Sequence, residues 1–233
     1  MKVEVLFPEF CNLYGDLANI KYLEKSVKDI EVIHTPLTGT PRFISDDIDM
    51  VYMCSMTEKT QEKVIEKLKP YTEKIKELIN GNKLFLCTGN AFEVFGNYIE
   101  NEDGSKIEGL KVLDCHSKRD MLNRHASMFL GEFEDLKMIG FKNQFSQTYG
   151  DNANCFFAKA IKGIGLNPET RLEGIRVNNF IGTYLLGPLF ILNPLFFKKI
   201  MDILKIEDYT LAFEEEIMAV YNKRLNEFET LDF

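Results

Sequence analysis

The sequence predicts an α/β protein of three layers, a mostly parallel central sheet with helices on both faces and additional antiparallel strands in the second half of the chain. Three observations carry that expectation. Before Gly96, short apolar runs alternate with segments of helical periodicity, the pattern of βαβ units. The run Leu84-Phe85-Leu86-Cys87 is apolar throughout, as in a strand covered on both faces. After Gly96 the helical spacing stops, and short strand-like runs separated by turn residues take over until Pro194.

Taken in order, Val3 to Phe7 reads as the first strand, and Asp16 stands at the N-cap of a helix whose apolar residues Ile20, Leu23 and Val27 recur at helical spacing. Glu31 to His34 and Ile48 to Met53 read as the second and third strands. Glu58 to Asn80 reads as one helix or a helix pair, because Pro70 either kinks it or opens its second half, and Asn80-Gly81 ends it. Lys83 to Cys87 is the fourth strand. Further strands are expected at Ile107 to Leu113, Asn123 to Phe133, Lys137 to Lys142, Cys155 to Ile161, Gly174 to Val177 and Phe180 to Leu185. Two helices, Pro194 to Lys205 and Tyr209 to Phe228, come last. No linker or repeat divides the 233 residues, so one domain over 1–233 is expected.

Composition narrows the function classes. A net charge of -8 argues against nucleic acid or an anionic membrane surface as partner. No apolar run approaches the roughly 20 residues of a membrane span, and the N-terminal run stops at Pro8, too early for a signal peptide, so a cytoplasmic location is expected. Cys11, Cys54, Cys87, Cys115 and Cys155 are scattered, which signals neither a disulfide framework nor a zinc site. No metal and no cofactor are expected. Asp46-Asp47 with Asp49 reads as a water-facing turn, and Glu214-Glu215-Glu216 as a solvated helix face. Gly163-Ile164-Gly165 lacks the third glycine and the following helix of a dinucleotide fingerprint.

The most informative segment is Leu84 to Gly96, a buried strand, a tight turn and the start of a helix, the geometry that presents a nucleophile at the edge of an α/β sheet. Gly89 stands where the nucleophile belongs. This segment, together with Asn12-Leu13-Tyr14-Gly15-Asp16-Leu17-Ala18-Asn19 and Gly182-Thr183-Tyr184-Leu185-Leu186-Gly187-Pro188, resembles the class I glutamine amidotransferases of the CobB/CobQ (cobyric acid synthase) type. The similarity is greatest to the GatD-type subunit of lipid II isoglutaminyl synthase, and Gly140-Phe141-Lys142-Asn143 and Glu108 to Asp114 extend it along the chain. The resemblance implies a class I glutamine amidotransferase-like, flavodoxin-like fold. It also implies a glutaminase in which an elbow cysteine attacks the side-chain amide, a histidine moves the proton and backbone amides hold the oxyanion. The partner it implies is a Mur-ligase-like synthetase that uses the ammonia in cell-wall (peptidoglycan) amidation.

The departures from the family pattern fall on the chemistry. The family cysteine aligns with Gly89 and the family base with Leu186, which is expected to be buried beside Met56. The family's glycine loop aligns with Cys54-Ser55-Met56, whose side chains are expected to crowd the approach to the site. A second histidine aligns with Gln144 and an arginine with Gln147. The expected remnant pocket is Cys54, Ser55, Met56, Cys87, Gly89, Asn90, Gln144, Gln147 and Leu186, with Asn12, Tyr14, Asp16 and Asn19 as a candidate partner surface. These departures imply a chain that does not hydrolyse glutamine and serves as a binding or regulatory subunit. Two alternatives stay open. One is an active glutaminase whose nucleophile has moved to Cys87 or Cys54, which needs a base from among His34, His116 and His125, with His116 the nearest candidate. The other is a small-molecule sensor using the altered pocket.

Overall fold

A computed structural model describes residues 1–232. Its first strands are β1 (Lys2–Leu6), β2 (Glu31–Thr35), β3 (Met50–Met53) and β4 (Leu84–Thr88). There follow β5 (Tyr98–Glu100), β6 (Lys106–Glu108), β7 (His116–Arg119), β8 (His125–Phe133), β9 (Leu136–Gln144), β10 (Ser146–Tyr149), β11 (Ala158–Lys162), β12 (Leu172–Glu173), β13 (Ile175–Val177) and β14 (Phe180–Thr183). The helices are α1 (Ala18–Ser26), α2 (Glu58–Leu68), α3 (Thr72–Asn80), α4 (Leu189–Leu192), α5 (Pro194–Leu204) and α6 (Glu214–Thr230).

The central sheet has the order β13-β14-β4-β3-β1-β2, parallel except for the edge pair β13–β14. Every residue of β3, β4 and β14 is buried, which explains why their sequences carry no charged residue. From β1 the chain crosses through α1 to β2, and from β3 it crosses the other way through α2 and α3 to β4. Right-handed crossovers in opposite directions put these helices on opposite faces. Phe85 on β4 anchors the core, with the rings of Phe43, Phe95 and Phe180 at 6.3, 6.4 and 6.2 Å. Tyr22 on α1 meets Phe197 on α5 at 5.3 Å. Two four-stranded sheets, β10-β7-β5-β6 and β12-β11-β8-β9, complete the fold, the second antiparallel throughout.

Several elements depart from the sequence expectation for identifiable reasons. The strand expected over Ile107 to Leu113 ends at Glu108, because the chain turns where Gly109 packs on the Gly96 carbonyl, which a Cβ would meet at 2.3 Å. Asp16 is no helix cap. The N-cap residue of α1 is Leu17, whose N–H is accepted by Asn12 Oδ1 at 3.1 Å, and the Asp16 carboxylate is engaged elsewhere. The segment after β4 coils as a 3₁₀ helix over Gly89–Phe95 rather than starting an α-helix. Pro70 opens a 3₁₀ turn, Lys69–Tyr71, that separates α2 from α3. The last helix begins only at Glu214, after Phe213 in the left-handed region at φ 57°. Strands β5, β7, β10 and β12 carry too little apolar alternation to stand out in the sequence.

One buried ion pair links β9, β12 and the end of β14. The Lys142 ammonium pairs with the Glu173 carboxylate, both side chains fully buried, and also donates to the Ile164 and Gly165 carbonyls at 3.0 and 2.6 Å. Glu173 in turn accepts from Thr183 Oγ1 and the Tyr184 N–H, each at 2.8 Å. Removing one partner of such a pair strands a buried charge. Lys142→Met is therefore expected to lower the unfolding free energy by about 3–5 kcal/mol in a urea titration, with Glu173→Gln added to it recovering part of the loss.

Candidate functional site

In a doubly wound sheet, the crevice for a ligand opens where neighbouring strands send their connections to opposite faces. Here that point lies beyond the C-terminal ends of β1 and β3. The loop after β1, the loop Cys54 to Thr57 after β3 and the turn after β4 converge there, roofed by the end of β9 and the segment between β7 and β8. They enclose a cavity of about 340 Å³ lined by Leu13, Tyr14, Ser55, Met56, Thr57, Glu58, Gly89, Asn90, Arg124, Asn143, Gln144 and Phe145.

Gly89 adopts φ +61°, the left-handed conformation glycine takes without penalty. A Cβ there would lie 2.6 Å from Ser55 Cβ and 3.0 Å from Leu186 Cδ2, so no side chain fits at the elbow without movement of its neighbours. Both neighbours are held in place. The Ser55 hydroxyl donates to the buried carboxylate of Asp16, whose other oxygen accepts the Gly187 N–H at 3.2 Å. Asn90 fastens the next residue, its amide accepting from Met56 N at 3.0 Å and donating to Met56 O at 2.8 Å. Leu186 is buried, and its N–H donates to the Phe141 carbonyl on β9 at 2.9 Å. Burial raises the Asp16 carboxyl above its ordinary value, while its hydrogen bonds from Ser55 and Gly187 pull the other way.

The thiols and histidines do not assemble. Cys54 and Cys87 are buried, and burial pushes both thiols far above their ordinary value, which leaves no thiolate at neutral pH. Cys54 Sγ donates to the Cys11 carbonyl. His116 is stacked between Tyr98 and Tyr149, with ring centroids at 4.8 and 5.8 Å, and His125 hydrogen-bonds Ser127 at 2.9 Å. His34 lies exposed on edge strand β2. Among the described residues no cysteine sulfur hydrogen-bonds a histidine ring, so the relocated Cys/His pair is not formed.

Of the remaining candidates, Ser55, Met56, Gly89, Asn90 and Gln144 line the cavity, and Cys54, Cys87, Gln147 and Leu186 do not. Gln144 Nε2 donates to the Ser146 carbonyl at 2.8 Å, while its buried Oε1 has no partner. The candidate partner surface needs correction. Asn12 is exposed and Tyr14 half-buried, but Asp16 and Asn19 are fully buried. Asn19 donates to Tyr52 Oη at 3.0 Å and accepts the Phe190 N–H at 3.0 Å, so it joins loops inside the protein and cannot face a partner.

Two groups near the site escaped sequence reasoning. Glu93, inside the apolar run Phe92 to Phe95, is buried and accepts from Ser146, from Tyr184 Oη at 2.6 Å and from Gln61 Nε2 at 2.8 Å. A carboxylate inside an apolar run was the signal for it. Arg124, in the connection from β7 to β8, donates to Tyr14 Oη at 3.0 Å and lies over the Phe145 ring at 5.3 Å. No local pattern marks Arg124, because Tyr14 is distant in sequence.

The family model of the CobB/CobQ-like glutamine amidotransferase domain matches residues 2–193. The chain belongs to that family. Among curated relatives, the lipid II isoglutaminyl synthase (glutamine-hydrolyzing) subunit GatD of Staphylococcus aureus (strain N315) is 28% identical over 181 residues, covering 76% of this chain and 73% of that protein. The subunit of the same name from Streptococcus pneumoniae (strain ATCC BAA-255 / R6) is 24% identical over 203 residues, 81% of this chain and 74% of that protein. In three dimensions a chain of PurLQS from Thermotoga maritima superimposes with a TM-score of 0.60 at 11% identity, covering 87% of this chain and 96% of that one. A crystal structure of a glutamine amidotransferase gives 0.60 at 9%, covering 87% and 98%. The fold is thus that of the glutamine amidotransferases.

Two outcomes follow from this geometry. Gly89→Ala is expected to destabilise the protein by roughly 2–4 kcal/mol in denaturant unfolding, combining backbone strain at positive φ with overpacking against Ser55. Burial raises the Glu93 carboxyl above its ordinary value, so its contribution to stability is complete below the unfolded carboxylate range and is lost as pH climbs through the folded value. Glu93→Gln should flatten that part of the curve of melting temperature against pH.

Proposed function

We propose that this chain is a glutamine amidotransferase-like subunit that does not hydrolyse glutamine and acts in binding or regulation, docked on a Mur-ligase-like synthetase in cell-wall amidation. The observation that carries this reading is the packing of Ser55 and Leu186 onto Gly89. A nucleophile needs a side chain at the elbow, and here the space for one is taken by residues anchored through Asp16 and Phe141. The buried Leu186 has no proton to exchange. The names of the two curated relatives, each a subunit of lipid II isoglutaminyl synthase, support an assembly with a synthetase. Cytoplasmic placement goes with that role, and the chain serves as one domain.

Ammonia release from L-glutamine, followed with and without a co-purified synthetase, should not exceed that of heat-denatured protein. Release that disappears in Cys54→Ala or Cys87→Ala would overturn the reading. Restoring the lost groups as Gly89→Cys with Leu186→His should still give no glutaminase while Ser55 occupies the elbow, and adding Ser55→Gly is what makes room for the new sulfur.

A further inference from the structure

We propose that Ser55 and Asp16 form a serine–carboxylate pair that accepts the acyl group of a small anionic ester or thioester bound in the cavity, with Arg124 holding the anion. This goes beyond the reading above, which concerns glutamine alone. The glycine that removes the elbow nucleophile also admits Ser55 to its place, with Ser55 Cβ 2.6 Å from where a side chain on Gly89 would begin. Ser55 lines the cavity, and its hydroxyl is directed onto one oxygen of Asp16 while the Gly187 N–H occupies the other. Its backbone is fixed by the Leu13 N–H, which donates to Ser55 O at 3.1 Å, and by the clamp of Asn90 on Met56. A nucleophile within reach of a base, on a backbone held by hydrogen bonds on both sides, is the arrangement covalent catalysis requires.

The step balances with these groups alone. As Ser55 Oγ bonds to the carbonyl carbon, its proton passes to Asp16 and the carbonyl electron pair moves to oxygen. Collapse breaks the bond to the leaving oxygen or sulfur, which takes the proton from Asp16 and departs as alcohol or thiol, leaving an ester on Ser55. Water then adds to that ester, giving its proton to Asp16, and Ser55 Oγ leaves and recovers a proton as the free acid is released. Among the described residues no histidine lines the cavity, so the pair suits leaving groups that need little acid assistance, esters and thioesters rather than amides. Arg124 supplies recognition. It lines the same cavity, is oriented by the Phe145 ring and Tyr14 Oη, and forms no ion pair among the described residues.

The test uses the full chain and a fluorophosphonate probe, followed by peptide mass mapping. The proposal expects the probe on Ser55 in the wild type, none on that peptide in Ser55→Ala, and labelling slowed about tenfold or more in Asp16→Asn that retains its melting transition. Nitrophenyl esters add the second readout, a hemiglutarate against a neutral acetate. The preference for the anionic ester should fall about fivefold or more in Arg124→Ala. Folded wild type that leaves Ser55 unlabelled, or ester hydrolysis undiminished in Ser55→Ala, would overturn the proposal. Ammonia release reports on the other reading, so the two fail separately.

Discussion

The site is organised by one close approach, the backbone of Gly89 against the side chain of Ser55. A glycine at φ +61° lets the β4 strand turn sharply without the strain a larger residue carries at such an elbow, a cost on the order of 1–3 kcal/mol. The room left by the missing side chain is not a void. Interiors close-pack, and an empty space over the elbow forfeits dispersion contacts from every lining atom. Ser55 from the loop after β3 and Leu186 from beyond β14 fill it, which brings three parallel strands together at their C-terminal ends.

That packing depends on buried polar groups whose partners come from distant segments. Asp16 joins the loop after β1 to Ser55 and Gly187. Asn19 joins α1 to Tyr52 and Phe190. Glu173 joins β12 to Lys142 and to Tyr184 of the Gly-Thr-Tyr motif, and Glu93 joins the turn after β4 to Tyr184 and Ser146. Each group is costly if left unpaired, so every one constrains the loops it touches to a single arrangement. The framework motifs of the family therefore have a structural use in this chain, because Asp16, Asn19 and Tyr184 hold the crevice together from inside.

The legibility of the sequence followed the source of each constraint. The parallel sheet was readable because β3 and β4 are largely apolar for a local reason, being covered on both faces. Gly89 and Leu186 were identifiable because motifs place them by position. Strands such as β7, His116–Arg119, were not readable, since they depend on pairing with β5 and β10 rather than on their own pattern. The roles of Asp16 and Asn19 were misread as surface and cap because short polar residues before a helix usually face water or the backbone. What buries them is contact with Gly187 and Phe190, far along the chain.

The same logic explains why the region around the elbow is tightly held. A catalytic elbow keeps a strained residue, an open approach and unsatisfied donors aimed at a ligand, and all three lower stability. In this chain the elbow is relaxed by Gly89, the approach is narrowed by Ser55 and Met56, and the base position is apolar and bonded through its backbone to Phe141. Unsatisfied buried acceptors lie instead in the cavity wall, Gln144 Oε1 and Asn143 Oδ1, beside the Arg124 guanidinium, which donates to Tyr14 Oη and forms no ion pair among the described residues. An unpaired polar atom in the wall of a lined cavity is a group that a bound ligand can satisfy, at no cost to the packing beneath it.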